Sequence, residues 1–271
     1  MATPLVMKAL EQYGERIATS AVIQVVMFFG CLVMVKCCLP KAKDHAGLAD
    51  TLYSMAFFPC LAFCAVVASL QLRGDVGLRW QGTNYWSEQY MVLYVSRALV
   101  HIFMQPFEQI SCKLLLMMTL HHLLSIGCYA SGLCFGRCHF WGCLDGCCEI
   151  TTIFLNNLYI LNDVEIGGTK LKDTLPLWVT ALNGIILWIG FVIFRLMLFP
   201  AWLYYFYKDM QEAPQQSRAI VTDLERYLYP VVTLILLLLS ITWFVPISQG
   251  MVKSVRKALS GKVADGGKKQ N

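Results

Sequence analysis

Two histidines stand side by side in an otherwise apolar run, Met117-Met118-Thr119-Leu120-His121-His122-Leu123-Leu124-Ser125-Ile126. Imidazole gains and loses a proton near neutral pH, so such a pair suits proton transfer or nucleophilic attack. Arg97, His101, Gln105 and Glu108 recur at spacings of four, four and three, which sets them on one helical face. Glu149, Thr152 and Asn156 repeat that pattern further on, with Asn157 beside them, and Arg195 follows Gly190-Phe191-Val192-Ile193-Phe194 shortly before Pro200. An ionised side chain at mid-bilayer costs about 2.5–3.5 kcal/mol on insertion scales, so these groups must face protein or water. Read as function, they close one polar chamber: His121 and His122 are the catalytic candidates, Arg97, His101, Glu149, Asn156 and Arg195 line it, and Glu149 or Arg195 is their electrostatic partner. Read as structure, they are hydrogen bonds between helices, each worth about a kcal/mol or less. Ser125 and Thr152 fit the structural reading better; the histidine pair with Glu149 fits the functional one.

The elements that must position these residues are transmembrane helices. The chain is 57% apolar and only 14% charged, with a mean hydropathy of +0.56, whereas soluble domains carry about 25% charged residues. A hydrocarbon core about 30 Å thick is crossed by about 20 apolar helical residues, and runs of that kind cover 19–39, 52–72, 112–132, 176–199 and 228–249. Two more polar runs, 88–105 and 140–161, lie between them and are rich in aromatic residues, Leu or Cys. Counting both gives an all-α, polytopic transmembrane helical bundle of about seven spans, with six as the alternative. The first run follows a mixed-charge segment and precedes no small-residue cleavage site, which predicts a retained anchor rather than a signal peptide.

Adjacent residues diverge by about 100° around a helix, so His121 and His122 both face inward only around a broad interior. For orientation, seven spans put twelve Lys and Arg residues on the side of the C-terminus and eight on the other, which predicts a cytosolic tail. Much of the net charge of +5 sits in that tail, where it fixes orientation rather than binding nucleic acid. The last four residues, Lys268-Lys269-Gln270-Asn271, resemble a dilysine signal returning membrane proteins to the endoplasmic reticulum, an address read by coat proteins. The expected setting is therefore the endoplasmic reticulum membrane, with membrane lipids as partners. Most of the twelve cysteines lie within or beside apolar runs and read as small buried hydrophobes. Cys134, Cys138, His139, Cys143, Cys147 and Cys148 hold soft ligands, but C-x2-C pairs are absent, so no metal is assigned; a lumenal disulfide ranks above it. Lys36-Cys37-Cys38 would suit reversible palmitoylation.

The histidine run, the segment Glu149-Ile150-Thr151-Thr152-Ile153-Phe154-Leu155-Asn156, and Phe194-Arg195 ahead of Pro200 together resemble the TLC-domain family. The resemblance implies a first segment 1–49 carrying the first anchor, a TLC domain over 50–259 and a basic cytosolic tail over 260–271. It also implies a role in membrane lipid homeostasis, by binding or modifying a lipid in the chamber. The alternative is an N-acyltransferase of the ceramide synthase type, with His121 or His122 as base or acyl acceptor and Arg195 or Lys113 near the phosphates of acyl-CoA as co-substrate. No permanently bound cofactor is expected. The synthases carry an aspartate-bearing segment ahead of the histidines, but here Leu114 stands seven residues before His121 and no Asp lies between Asp75 and Asp145. Proton or ion transport through His101, His121, His122 and Glu149 is a third class.

Overall fold

Lipid offers no water to backbone N–H and C=O groups, and a helix satisfies them internally, so the apolar runs fold as helices. The computed structural model describes residues 4–40, 42, 44–108, 111–166 and 168–266. In chain order these form α1 (Pro4–Cys38), α2 (His45–Leu72), α3 (Val76–Gln81), α4 (Tyr85–Met104), α5 (Cys112–Phe135), α6 (His139–Gly146), α7 (Glu149–Asp163), α8 (Leu171–Thr174), α9 (Leu177–Phe191), α10 (Leu198–Glu212) and α11 (Asp223–Gly266). A 3₁₀ turn, Gln105–Phe107, follows α4, and a π-helical segment, Val192–Met197, joins α9 to α10. A two-stranded antiparallel hairpin, β1 (Glu165–Ile166) and β2 (Thr169–Lys170), lies between α7 and α8. The terminal lysines Lys268 and Lys269 lie outside the described residues.

Among the described residues, five helical stretches are long and apolar enough to cross a bilayer: Glu11–Cys38, His45–Leu72, Leu114–Phe135, Leu177–Glu212 and Asp223–Lys253. They coincide with the five clear apolar runs. The two more polar runs are helical as well, so the all-α polytopic bundle holds. One expected span is corrected: 140–161 is not a single helix but α6 and α7, interrupted at Cys147 and Cys148. The run expected to end at 199 instead continues to Glu212. Pro200 explains the irregularity within it, since proline has no N–H for the carbonyl four residues back and its ring clashes there. The ladder widens into the π segment just before it.

The bundle reverses the polarity of a soluble protein. Val22, Val26, Phe63, Leu116 and Leu120 are exposed on its outside, while Gln24, Ser96, Arg97 and Arg195 are buried. In α2, 44% of the most apolar window is buried, against 17% in each of the other four long stretches, so α2 is the central helix. A polar clamp ties three helices together: Tyr53 of α2 donates to Gln24 Oε1 of α1 at 2.5 Å, and Gln24 Nε2 donates to Ser96 Oγ of α4 at 2.7 Å. In the last turn of α3, Arg79 donates to both carboxylate oxygens of Asp209 at 2.8 and 2.6 Å. There Trp80, Trp141, Trp202 and Phe206 make an aromatic core, the last two stacked at 4.6 Å.

Local chemistry sets the helix ends. Asp44 caps α2, its Oδ1 accepting from the Gly47 N–H at 2.8 Å, and Asn84 and Ser87 form a reciprocal capping box on α4. Gly136 ends α5 in the left-handed region at φ +60°, which glycine adopts without a Cβ clash. At Gly146 the requirement is space: a Cβ there would lie 2.2 Å from the Tyr90 ring.

Candidate functional site

The helix pattern turns the polar faces of α4, α5 and α7 toward one internal cavity of about 1290 Å³. Arg97, His101, His121, His122, Glu149, Asn156 and Arg195 all line it, so the structure brings together every chamber residue expected from the sequence. Its walls are mixed, with Phe58, Leu155, Phe191 and Trp243 among them. Along α11 the lining runs from Tyr229 to Ile247, 18 residues apart. At a rise of about 1.5 Å per residue that is roughly 27 Å, close to the depth of a hydrocarbon core. One end of the cavity is bordered by Leu39, Pro40 and Asp44 before α2 and by Glu165, Gly168 and Lys170 of the hairpin.

The chamber has two charged centres. The first is built around Arg97, whose Nη2 donates to Asp50 Oδ1 and Oδ2 at 3.0 and 2.9 Å and to Ser54 Oγ at 3.1 Å. Tyr53 and Phe58 lie against its guanidinium at 5.0 and 5.9 Å from the ring centres. Its Nε and Nη1 are buried without a hydrogen-bond partner. One turn along α4, His101 Nδ1 shares a hydrogen bond with His122 Nε2 at 2.8 Å and meets Gln105 Nε2 at 3.2 Å. Gln105 Oε1 in turn accepts from Thr119 at 3.1 Å. The other His101 nitrogen, Nε2, faces Glu108 Oε1 at 3.5 Å and Asp50 Oδ2 at 3.9 Å. Glu108 does not sit on α4 as the spacing predicts. It follows the 3₁₀ turn, which closes the chain back over His101.

The second centre is built around Arg195, which the π segment buries. Its Nε donates to Thr151 Oγ1 at 2.8 Å, and its Nη2 reaches Thr152 Oγ1 at 3.3 Å and the Cys148 carbonyl at 3.5 Å. Thr152 donates to Glu149 Oε2 at 2.7 Å, so a hydroxyl relays between the arginine and the carboxylate. The Asn156 amide nitrogen is buried without a partner. Asp145 is buried too, with Oδ2 accepting from Thr233 at 2.7 Å.

The histidine rings stand 5.2 Å apart and bridge the centres. His122 joins the first through His101; His121 Nε2 meets the Tyr94 hydroxyl at 3.4 Å. In both, Nδ1 is buried and unpartnered. Among the described residues no hydrogen bond links either histidine to Glu149 or Arg195, the electrostatic partners expected from the sequence, and the carboxylates that face His101 are Asp50 and Glu108. Sequence reasoning missed Asp50, Ser54 and Tyr94 as chamber residues. Asp50 had a signal, the Asp44 cap, which starts α2 seven residues before the apolar run and places Asp50 within its second turn. All twelve cysteines are free thiols, and Cys138, Cys143, Cys147 and Cys148 are buried. The Lys113 side chain lies outside the described residues.

A helical bundle with lipid-facing leucines outside and two buried arginines around a cavity defines a polytopic membrane protein with an intramembrane polar chamber. The TLC domain model matches residues 12–249, and the chain belongs to that family. The matched range takes in α1 as well as the histidine and Glu149 segments. No curated protein and no solved structure gives a significant match.

Proposed function

We propose that this TLC-domain protein binds a lipid in its chamber and acts in membrane lipid homeostasis, in the endoplasmic reticulum membrane with its C-terminus cytosolic. One observation carries the reading: a single cavity of about 1290 Å³ holds both polar centres and apolar walls. Drug-sized ligands occupy about 300–1,000 Å³, so this volume suits a longer amphipathic molecule. The polar head would lie among Arg97, His101 and His122, and its chain along apolar lining residues such as Leu155, Val232 and Leu236.

A second reading, N-acyl transfer from acyl-CoA to a sphingoid base, is favoured by the two unpartnered Nδ1 atoms in that cavity. An imidazole there would take the amine proton as nitrogen attacks the thioester carbonyl, and CoA would leave as its thiol. The chamber's length supports that reaction, which also needs an opening to the cytosol for the CoA moiety, but the aspartate-bearing segment of the synthases is missing.

The test is lipidomics of cells lacking the protein, rescued with wild type, with His121→Ala plus His122→Ala, or with His121→Asn plus His122→Asn. Both double variants should accumulate near wild-type levels, because hydrogen bonds between membrane helices average about 0.6 kcal/mol. Both should leave the lipid profile uncorrected if proton transfer is required, since Asn keeps hydrogen bonding but carries no titratable proton. An Asn variant that restores the profile alongside a degraded Ala variant would make the histidines structural. Purified protein that neither retains nor exchanges any lipid class would overturn the lipid reading itself.

A further inference from the structure

We propose that Asp50, His101 and Glu108 form a binding site for one divalent cation of the zinc class, open to the chamber. Their ligand atoms lie within 4.8 Å of one another and come from three separate places, α2, α4 and the turn after it. Zinc bonds of about 2.0–2.2 Å to nitrogen and oxygen put tetrahedral ligands about 3.3–3.6 Å apart. His101 Nε2 stands 3.5 Å from Glu108 Oε1 and 3.9 Å from Asp50 Oδ2, so small side-chain rotations close the triangle. Glu108 Oε1 is buried and accepts no hydrogen bond. A buried carboxylate oxygen left that way calls for a cation.

The surroundings match a catalytic rather than a closed structural site. Three protein donors leave one position free, as catalytic zinc requires. His122, only 9% exposed, supplies the outer partner through the 2.8 Å contact to His101 Nδ1. With Nε2 on the metal, Nδ1 carries the proton and donates to His122, the arrangement that fixes a ligating imidazole. Gln105 then turns its amide over, so that its NH₂ meets Thr119 and its carbonyl, rather than its NH₂, faces the Nδ1 proton that His122 accepts. Arg97 holds both Asp50 oxygens from behind. Charge counting favours an anionic fourth ligand. Two carboxylates neutralise the ion, Arg97 leaves one positive charge, and a hydroxide, carboxylate or phosphate oxygen cancels it.

The experiment uses the full chain without a histidine tag, in nanodiscs, stripped with chelator and titrated with Co²⁺ as the spectroscopic probe. One Co²⁺ per chain is expected, with the visible absorption of a tetrahedral ion and no sulfur-to-cobalt charge-transfer band. Zn²⁺ should displace it. His101→Gln and Glu108→Gln should each weaken binding at least about tenfold; Glu88→Gln, at the other end of α4, should not. A charge-transfer band would place the ion on the cysteines instead. That result, no bound Co²⁺, or binding unchanged in His101→Gln and Glu108→Gln overturns the proposal. The wild-type spectrum alone separates sulfur from nitrogen and oxygen donors even if a variant fails to fold, and the result does not depend on whether the chamber binds a lipid.

Discussion

At the residue scale the chamber is held by charges that cannot be removed singly. The Arg97 and Asp50 side chains are 7% and 14% exposed, so each screens the other from hydrocarbon. Breaking a buried pair by deleting one partner costs about 3–5 kcal/mol, whereas replacing both with apolar groups is often neutral. Arg97→Met in metal-free protein should therefore lower stability strongly in steric-trapping or thermal unfolding measurements, and Asp50→Leu with Arg97→Met should recover most of the loss. An equal loss in the single and double variants would mean that the ion pair is not what Arg97 contributes. Arg97, His101 and the histidine pair were legible in the sequence because an ionisable group in an apolar run has few other reasons to be there. Asp50 was not, because its partner is 47 residues away and only the start of α2 decides which way it faces. Glu108 was placed near the others for a partly wrong reason: its spacing fits a helix, but the 3₁₀ turn brings it back.

At the element scale the helices owe their placement to a few points of close approach. Tyr90 is fully buried, its hydroxyl hydrogen-bonded to Tyr129 at 3.0 Å, and its ring fills the space over Gly146 that a side chain would occupy. Gly146→Ala should displace α6 from α4 and cost about 1–3 kcal/mol, the range for overpacking. Gly127→Ala on α5 is the control. A Cβ there meets nothing within 4 Å, so the gain in helix propensity, up to about 1 kcal/mol, should leave stability equal or higher. Equal melting temperatures for the two variants would contradict the packing account. The five apolar runs became five long helices because length and hydropathy alone fix such elements. The break between α6 and α7 carries no proline, so periodicity ran straight through it.

At the scale of the whole molecule, the sequence shows a membrane protein through composition, and its family through three motifs spread over the chain. The chamber's volume was not legible, since it depends on how several helices splay rather than on any one of them. Orientation is testable from the tail. Replacing Lys268 and Lys269 with Ser should shift the protein from the endoplasmic reticulum to later compartments, visible as maturation of the glycan on an engineered lumenal acceptor site. Unchanged retention would remove the dilysine assignment. The π segment at Val192–Met197 has one further consequence for the molecule's history. A π turn holds one residue more than a regular turn, so losing one there would restore a regular helix, leaving the faces of α9 and α10 nearly in place while the side chains of the segment itself turn. Arg195 would swing off Thr151 without being mutated. Changes in length at this one place, rather than changes of residue type, are thus a route by which an ancestral chamber could gain or lose its second charge in a single evolutionary step.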